Sequence, residues 1–158
     1  AFHGLIAASP KQRDALKVLV QTMADALGAR FDEAGAIHLA DDAATRALRL
    51  MSHMRDQSPH LGAVMRQYVQ AQLSQALFPF AGFGETLSER ITVIGVRYAT
   101  IRLALATLPV APSESEVVGV IYNVSRFIDH LADPTLSLAI YRETGWVREA
   151  RLRALVGA

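Results

Sequence analysis

At 158 residues, with 51% hydrophobic and 20% charged side chains and a mean hydropathy of +0.22, the chain has the content of one domain with a substantial core, or of a piece whose apolar surface another segment covers. Its formal net charge of +1 speaks against a nucleic-acid binder, which concentrates basic side chains on one face. Zero cysteines exclude a disulfide scaffold, a thiolate zinc site, an iron–sulfur cluster held by this chain and a cysteine nucleophile.

No run approaches the ~20 apolar residues of a bilayer-spanning helix, and the longest, around Leu103–Ala111, contains Pro109. The opening AFHGLIAAS has no basic n-region and is not a signal peptide. A cytoplasmic protein without membrane contact is expected. The chain starts at Ala1 rather than Met, so it is read as processed, excised or numbered from inside a longer protein, with residues 1–158 forming a single helical domain.

Helix signals recur along the chain. Ser9-Pro10 is a cap followed by proline at the first helical position, and Leu16, Leu19, Val20, Met23 and Leu27 then share a face up to Gly28, a natural C′ residue. Residues 29–40 break the period. AIHL there has strand character, but an isolated strand has nothing to pair with, so the segment reads as loop. Asp41 or Asp42 caps a second helix to about Arg55, with Leu48, Met51 and Met54 inward.

Ser58-Pro59 opens a third helix with Leu61, Val64, Met65, Tyr68, Val69, Leu73 and Leu77 as its apolar stripe, ended by Pro79. Residues 81–84 form a flexible turn. Thr86 and Glu89 make a capping box for a fourth helix, about 87–108, whose Ile91, Ile94, Tyr98, Ile101 and Leu105 are widened by Val93 and Val96 toward burial on all sides. Ser113 and Glu116 repeat the box for a fifth helix, about 114–131, with Val117, Val120, Ile121, Val124 and Ile128 inward. Asp133-Pro134 starts a sixth helix to about Glu143, and Gly145 allows a turn into a last amphipathic piece, 146–156. Its Arg148, Arg151 and Arg153 are the ordinary cationic complement to a helix end. The expectation is an all-α, irregular antiparallel bundle of six or seven helices.

Few residues announce chemistry. His3, His38, His53 and His60 are scattered, and Ser58-Pro59 keeps His53 and His60 off one straight helix, so they read as solvated or incidentally hydrogen-bonded side chains rather than metal ligands. Arg126 lies three residues before Asp129 and four before His130 on the fifth helix, with Tyr122 one turn earlier. The fourth helix repeats the arrangement as Tyr98 and Arg102, beside Arg97. Two Tyr-x-x-x-Arg helices side by side would build a polar cluster between them. Such a cluster satisfies its own members and sets helix register, or sends its arginines to solvent, or forms a ligand or substrate site. Phe78, Phe80 and Phe83 around Pro79 form an aromatic corner: a plug between the third and fourth helices, or a docking lip for a partner. No nucleophile–base pairing, phosphate loop or GxGxxG is visible.

Taken in order, these features resemble the C-terminal part of the flagellin lysine-N-methylase family. The likeness covers roughly residues 60–145. It rests on Tyr68 through Leu77 into Phe78-Pro79-Phe80, on Tyr98 with Ile101-Arg102, on the capped turn Ser113–Glu116, and on Ser125-Arg126-Phe127-Ile128-Asp129-His130. Asp129 stands where the family usually has glutamate, which shortens the carboxylate's reach by one methylene. The family's cysteine cluster has no counterpart in this chain.

The resemblance implies that a full-length, bacterial, cytoplasmic parent transfers a methyl group from S-adenosylmethionine to a lysine of a protein substrate such as flagellin. The missing Cys-rich N-terminal part would hold an iron–sulfur cluster, and the present portion would be inactive alone. The lysine must first lose its proton, which puts Asp129 and His130 forward as catalytic candidates and Tyr98, Arg102, Tyr122 and Arg126 as groups near substrate or cofactor. The alternative is a non-enzymatic ligand-binding or dimerisation domain, comparable to a transcriptional regulator's effector half; the sequence leaves a homo-oligomer open. A third reading is an interaction protein that buries the Phe78–Phe83 corner in a partner.

Overall fold

The computed structural model describes residues 10–57, 59–75, 79, 84–131, 134–148 and 151. Among them the chain forms six helices: α1 (Pro10–Leu27), α2 (Ala43–Gln57), α3 (Pro59–Gln75), α4 (Leu87–Ala106), α5 (Glu114–Leu131) and α6 (Pro134–Glu143). The protein is an all-α bundle, as the helical periodicity requires. The expected caps Ser9, Ser58 and Asp133, Leu77 in the third helix's stripe, and most of the piece at 146–156 lie outside the described residues.

Local chemistry explains the boundaries that are described. At the end of α1, Gly28 takes a left-handed φ of +68°, and the N–H groups of Gly28 and Ala29 donate to the carbonyls of Asp25 and Ala24. This is the paired closure of a Schellman motif. Gly145 closes α6 in the same way, with Gly145 and Trp146 donating to Arg142 and Tyr141. The Thr86–Glu89 box is complete: Thr86 Oγ1 accepts from Glu89 N–H, and the Glu89 carboxylate accepts from the backbone of Thr86. Ser113 and Glu116 do the same for α5.

The segment at 29–40 is not plain loop. β1 (Arg30–Phe31) and β2 (Ile37–His38) pair antiparallel, Arg30 opposite His38 and Phe31 opposite Ile37. AIHL does have a partner, seven residues upstream at its centre, and Asp32 makes the turn. Its carbonyl accepts from Gly35 N–H at 2.9 Å, its side chain accepts from Ala36 N–H at 2.8 Å, and its other carboxylate oxygen meets His38 Nε2 at 2.9 Å. Gly35, at φ +79°, supplies the left-handed residue such a turn needs. The His38 contact, followed by those backbone donors, holds the Asp32 carboxyl below its usual pKa.

α4 is the axis of the bundle and packs against α1, α2, α3, α5 and α6. Its C-terminal half carries Ile101, Ala104 and Leu105, all essentially inaccessible, against Leu61 and Met65 of α3 and Val117, Val120 and Val124 of α5. Its N-terminal half buries Thr92 and Gly95 on another side. Thr92 satisfies its hydroxyl by donating to Ser88 O at 2.7 Å. Two apolar positions expected inside are instead exposed: Leu48 of α2, which points to solvent, and Val20 at the margin of α1, where Ala24 is buried. α1 packs Leu19 and Met23 against the core cluster, and Ala43 is buried on α2. The Met54 side chain lies outside the described residues.

Ile101→Ala therefore costs about 2–5 kcal/mol of folding free energy, whereas Leu48→Ala stays within about 0.5 kcal/mol of the parent. Urea unfolding of the two variants checks the contrast.

Candidate functional site

α3 and α4 do not close against each other along their whole length. Between them lies an apolar groove of about 420 Å³. Met65, Val69 and Leu73, each four residues apart, form one wall, and Ile91, Ile94 and Tyr98 form the other. Gly95 contributes to that second wall without a side chain. Arg66 and Gln70, exposed and one turn apart on α3, bring the polar groups to the rim. Two contacts hold the helices beside it. Arg97 Nη1 donates to Gln72 Oε1 at 3.1 Å. Arg90 donates through Nε to Gly84 O and through Nη1 to Pro79 O, bracketing the connection between α3 and α4.

The two Tyr-x-x-x-Arg pairs are each formed. Arg102 Cζ lies 5.4 Å from the Tyr98 ring centre, and Arg126 Cζ lies 5.9 Å from that of Tyr122. Arg126 Nη1 also donates to Tyr122 Oη at 2.7 Å. The pairs face different surroundings. Arg102 is buried, while Tyr122 is 50% exposed on the side of α5 roughly opposite Val117, Val120 and Val124, the stripe that meets α4. The expected cluster uniting the pairs is therefore not built: α5 presents its valines to α4 and its Tyr–Arg stack to solvent. Helical spacing predicted each pair, but not which face each would occupy.

Asp129 and His130 fall in the last turn of α5, and their side chains lie outside the described residues, as do Phe78, Phe80 and Phe83. Ser125, just before Arg126, keeps a buried Oγ with no hydrogen-bond partner among the described residues. Among the histidines, His60 is exposed on α3, His53 is on α2, and His38 belongs to the hairpin turn. No group of three or more metal-ligating side chains occurs among the described residues. Nor is any described helix long and apolar enough to cross a membrane.

One polar link was invisible in local sequence. Glu89, read only as half of a capping box, also takes a hydrogen bond from Arg142 Nε to its Oε1 at 2.6 Å, joining the start of α4 to the end of α6 across 53 residues. Oε2 accepts from Glu85 N–H at 2.7 Å and Thr86 N–H at 3.1 Å. The carboxylate is covered by these polar partners rather than sunk among apolar side chains. The Arg142 bond, then the Thr86 N–H, hold its pKa down to about 2 from an ordinary 4.5.

The chain matches no family model, no curated protein and no solved structure.

Glu89→Gln removes the ionic half of the link and lowers stability at neutral pH by about 1–2 kcal/mol. Because the folded-state pKa is depressed, the carboxylate's contribution is complete above pH 4.5 and vanishes as pH falls through about 2. The stability gap between the parent and Glu89→Gln thus narrows across that window, which denaturant unfolding at a series of acidic pH values measures.

Proposed function

We propose that this chain is the helical, substrate-side portion of a protein lysine methylase of the flagellin-methylase kind, working within a longer parent. The observation that carries the reading is the order of polar motifs on three successive helices. Tyr68 lies on α3 ahead of Phe78-Pro79-Phe80, Tyr98 and Ile101-Arg102 lie on α4, and the capped Ser113–Glu116 turn leads α5 to Ser125-Arg126-Phe127-Ile128-Asp129-His130. The stacked Tyr98–Arg102 pair and the unused Ser125 hydroxyl support it, because functional sites retain polar groups that packing alone does not require.

The chemistry asked of such a parent is plain. The lysine ammonium loses a proton, its nitrogen lone pair attacks the sulfonium methyl of S-adenosylmethionine, and the carbon–sulfur bond breaks to leave a neutral thioether. In this reading Asp129 or His130 takes the proton. Among the described residues no contact marks a pocket for S-adenosylmethionine, so none is assigned to it. An iron–sulfur cluster does not fit this chain, which has no thiolate to hold it, and it belongs to the parent's other part.

The test is transfer of labelled methyl from S-adenosylmethionine to flagellin by the full parent reading frame. Label appears on lysine, and the double variant Asp129→Asn, His130→Asn slows transfer by about 10²-fold or more. An unchanged rate in the double variant removes these two residues from the chemistry. No transfer by the parent, or an upstream frame without a cysteine cluster, overturns the methylase reading and leaves a self-contained helical binding domain.

A further inference from the structure

The groove between α3 and α4 shares Tyr98 with the methylase reading, but its assignment rests on Arg66, Gln70 and the apolar walls and stands or falls without that reading. Its volume, about 420 Å³, lies within the ~300–1,000 Å³ typical of small-molecule sites. Its walls come from two helices of the core, Met65 being buried outright and Tyr98 packed against the hydrophobic cluster. The cavity is thus part of the bundle's scaffold rather than of a surface loop.

Its polarity is one-sided. Arg66 is the only ionisable group on the described lining apart from the Tyr98 phenol, and no carboxylate is among the described lining residues. Arg66 is exposed and makes no ion pair or hydrogen bond with any described residue, unlike Arg46, Arg90, Arg97, Arg126 and Arg142, which all have partners. Gln70 sits one turn further along α3. An unpaired guanidinium beside an amide, at the rim of an apolar trough, is the donor set for a carboxylate: the guanidinium fork takes two oxygens and the amide N–H₂ a third contact.

The helices run antiparallel, with Gln72 opposite Arg97, so Leu73 and Ile91 lie toward the end of the groove away from Met65 and Tyr98. The described residues at that end, Leu73 and Ile91, are apolar. A chain anchored at Arg66 would lay its tail along Val69 and Ile94 toward Leu73 and Ile91.

The geometry points to a binding site for a medium-chain carboxylate, a free single-chain anionic amphiphile, with its head on Arg66 and Gln70 and its tail between α3 and α4. A cationic amphiphile would meet Arg66 with like charge and no compensating carboxylate. A second copy of this chain would bring a second Arg66 into the same interface, and no carboxylate among the described lining residues would offset either charge.

The test uses the whole 158-residue chain and titration calorimetry with decanoate below its micelle concentration, alongside decanol and decyltrimethylammonium. Decanoate saturates a single site and binds at least tenfold more tightly than the ammonium. Arg66→Glu, at an exposed position that disturbs no described contact, weakens decanoate at least tenfold and reverses the preference. Val69→Trp, which fills the trough, abolishes binding while the thermal midpoint holds. Equal affinity for all three amphiphiles, no saturable heat, or a decanoate affinity indifferent to Arg66→Glu overturns the assignment. So does a dimer, seen by sedimentation, that Val69→Trp dissociates, because the groove's occupant would then be a second copy.

Discussion

Almost everything in this molecule depends on α4 being buried on more than one side. A helix with five neighbouring helices cannot follow the usual division into an inner and an outer face. Its C-terminal half commits Ile101, Ala104 and Leu105 to the contacts with α3 and α5, and its N-terminal half turns Thr92 and Gly95 to other neighbours. Each polar group on such a helix has to be answered locally or by a specific partner. Thr92 bonds back to Ser88, Arg102 stacks on Tyr98, and Glu89 serves its own cap while taking the Arg142 guanidinium. The same helix forms one wall of the α3–α4 groove, so the scaffold and the candidate binding surface share their residues.

Glu89 shows how one side chain ties local to long-range order. As a cap it satisfies the donors that any helix leaves at its start. As Arg142's partner it fixes where α6 ends relative to α4. The Arg142 side chain remains about half exposed, with Glu85 a further 3.8 Å neighbour, so water keeps part of the guanidinium and the link is an ordered surface tie rather than a sealed internal pair.

Helix starts and stops were the most legible features, because their causes are local: a serine or threonine with glutamate three residues on, a proline at the first turn, a glycine past the last. Thr86 with Glu89, Ser113 with Glu116, and Gly28 and Gly145 all act as their spacing implies. The hairpin at 30–38 was missed for the opposite reason. Strand pairing is a relation between two short segments, and neither Arg30–Phe31 nor Ile37–His38 carries enough pattern alone. Leu48 was misplaced because periodicity marks which residues share a face but not how much of it a neighbour covers. For the site, both Tyr–Arg stacks were readable from i, i+4 spacing, while their separation was not. That depended on the rotation of α5 about its axis, set by Val117, Val120 and Val124. The Glu89–Arg142 link and the groove, with Arg66 and Gln70 at its rim, arise only from tertiary packing and left no local signal.

Amide hydrogen exchange tests the central position of α4 most directly. If α4 is the axis on which the other helices rest, its amides from Ile91 to Leu105 open only with the whole molecule and exchange more slowly than those of α2, α5 or α6, at the limit set by global unfolding. Amides in that stretch exchanging faster than those around Val117–Val124 of α5 would show that α4 opens while its neighbours stay folded, and would contradict this account of the structure.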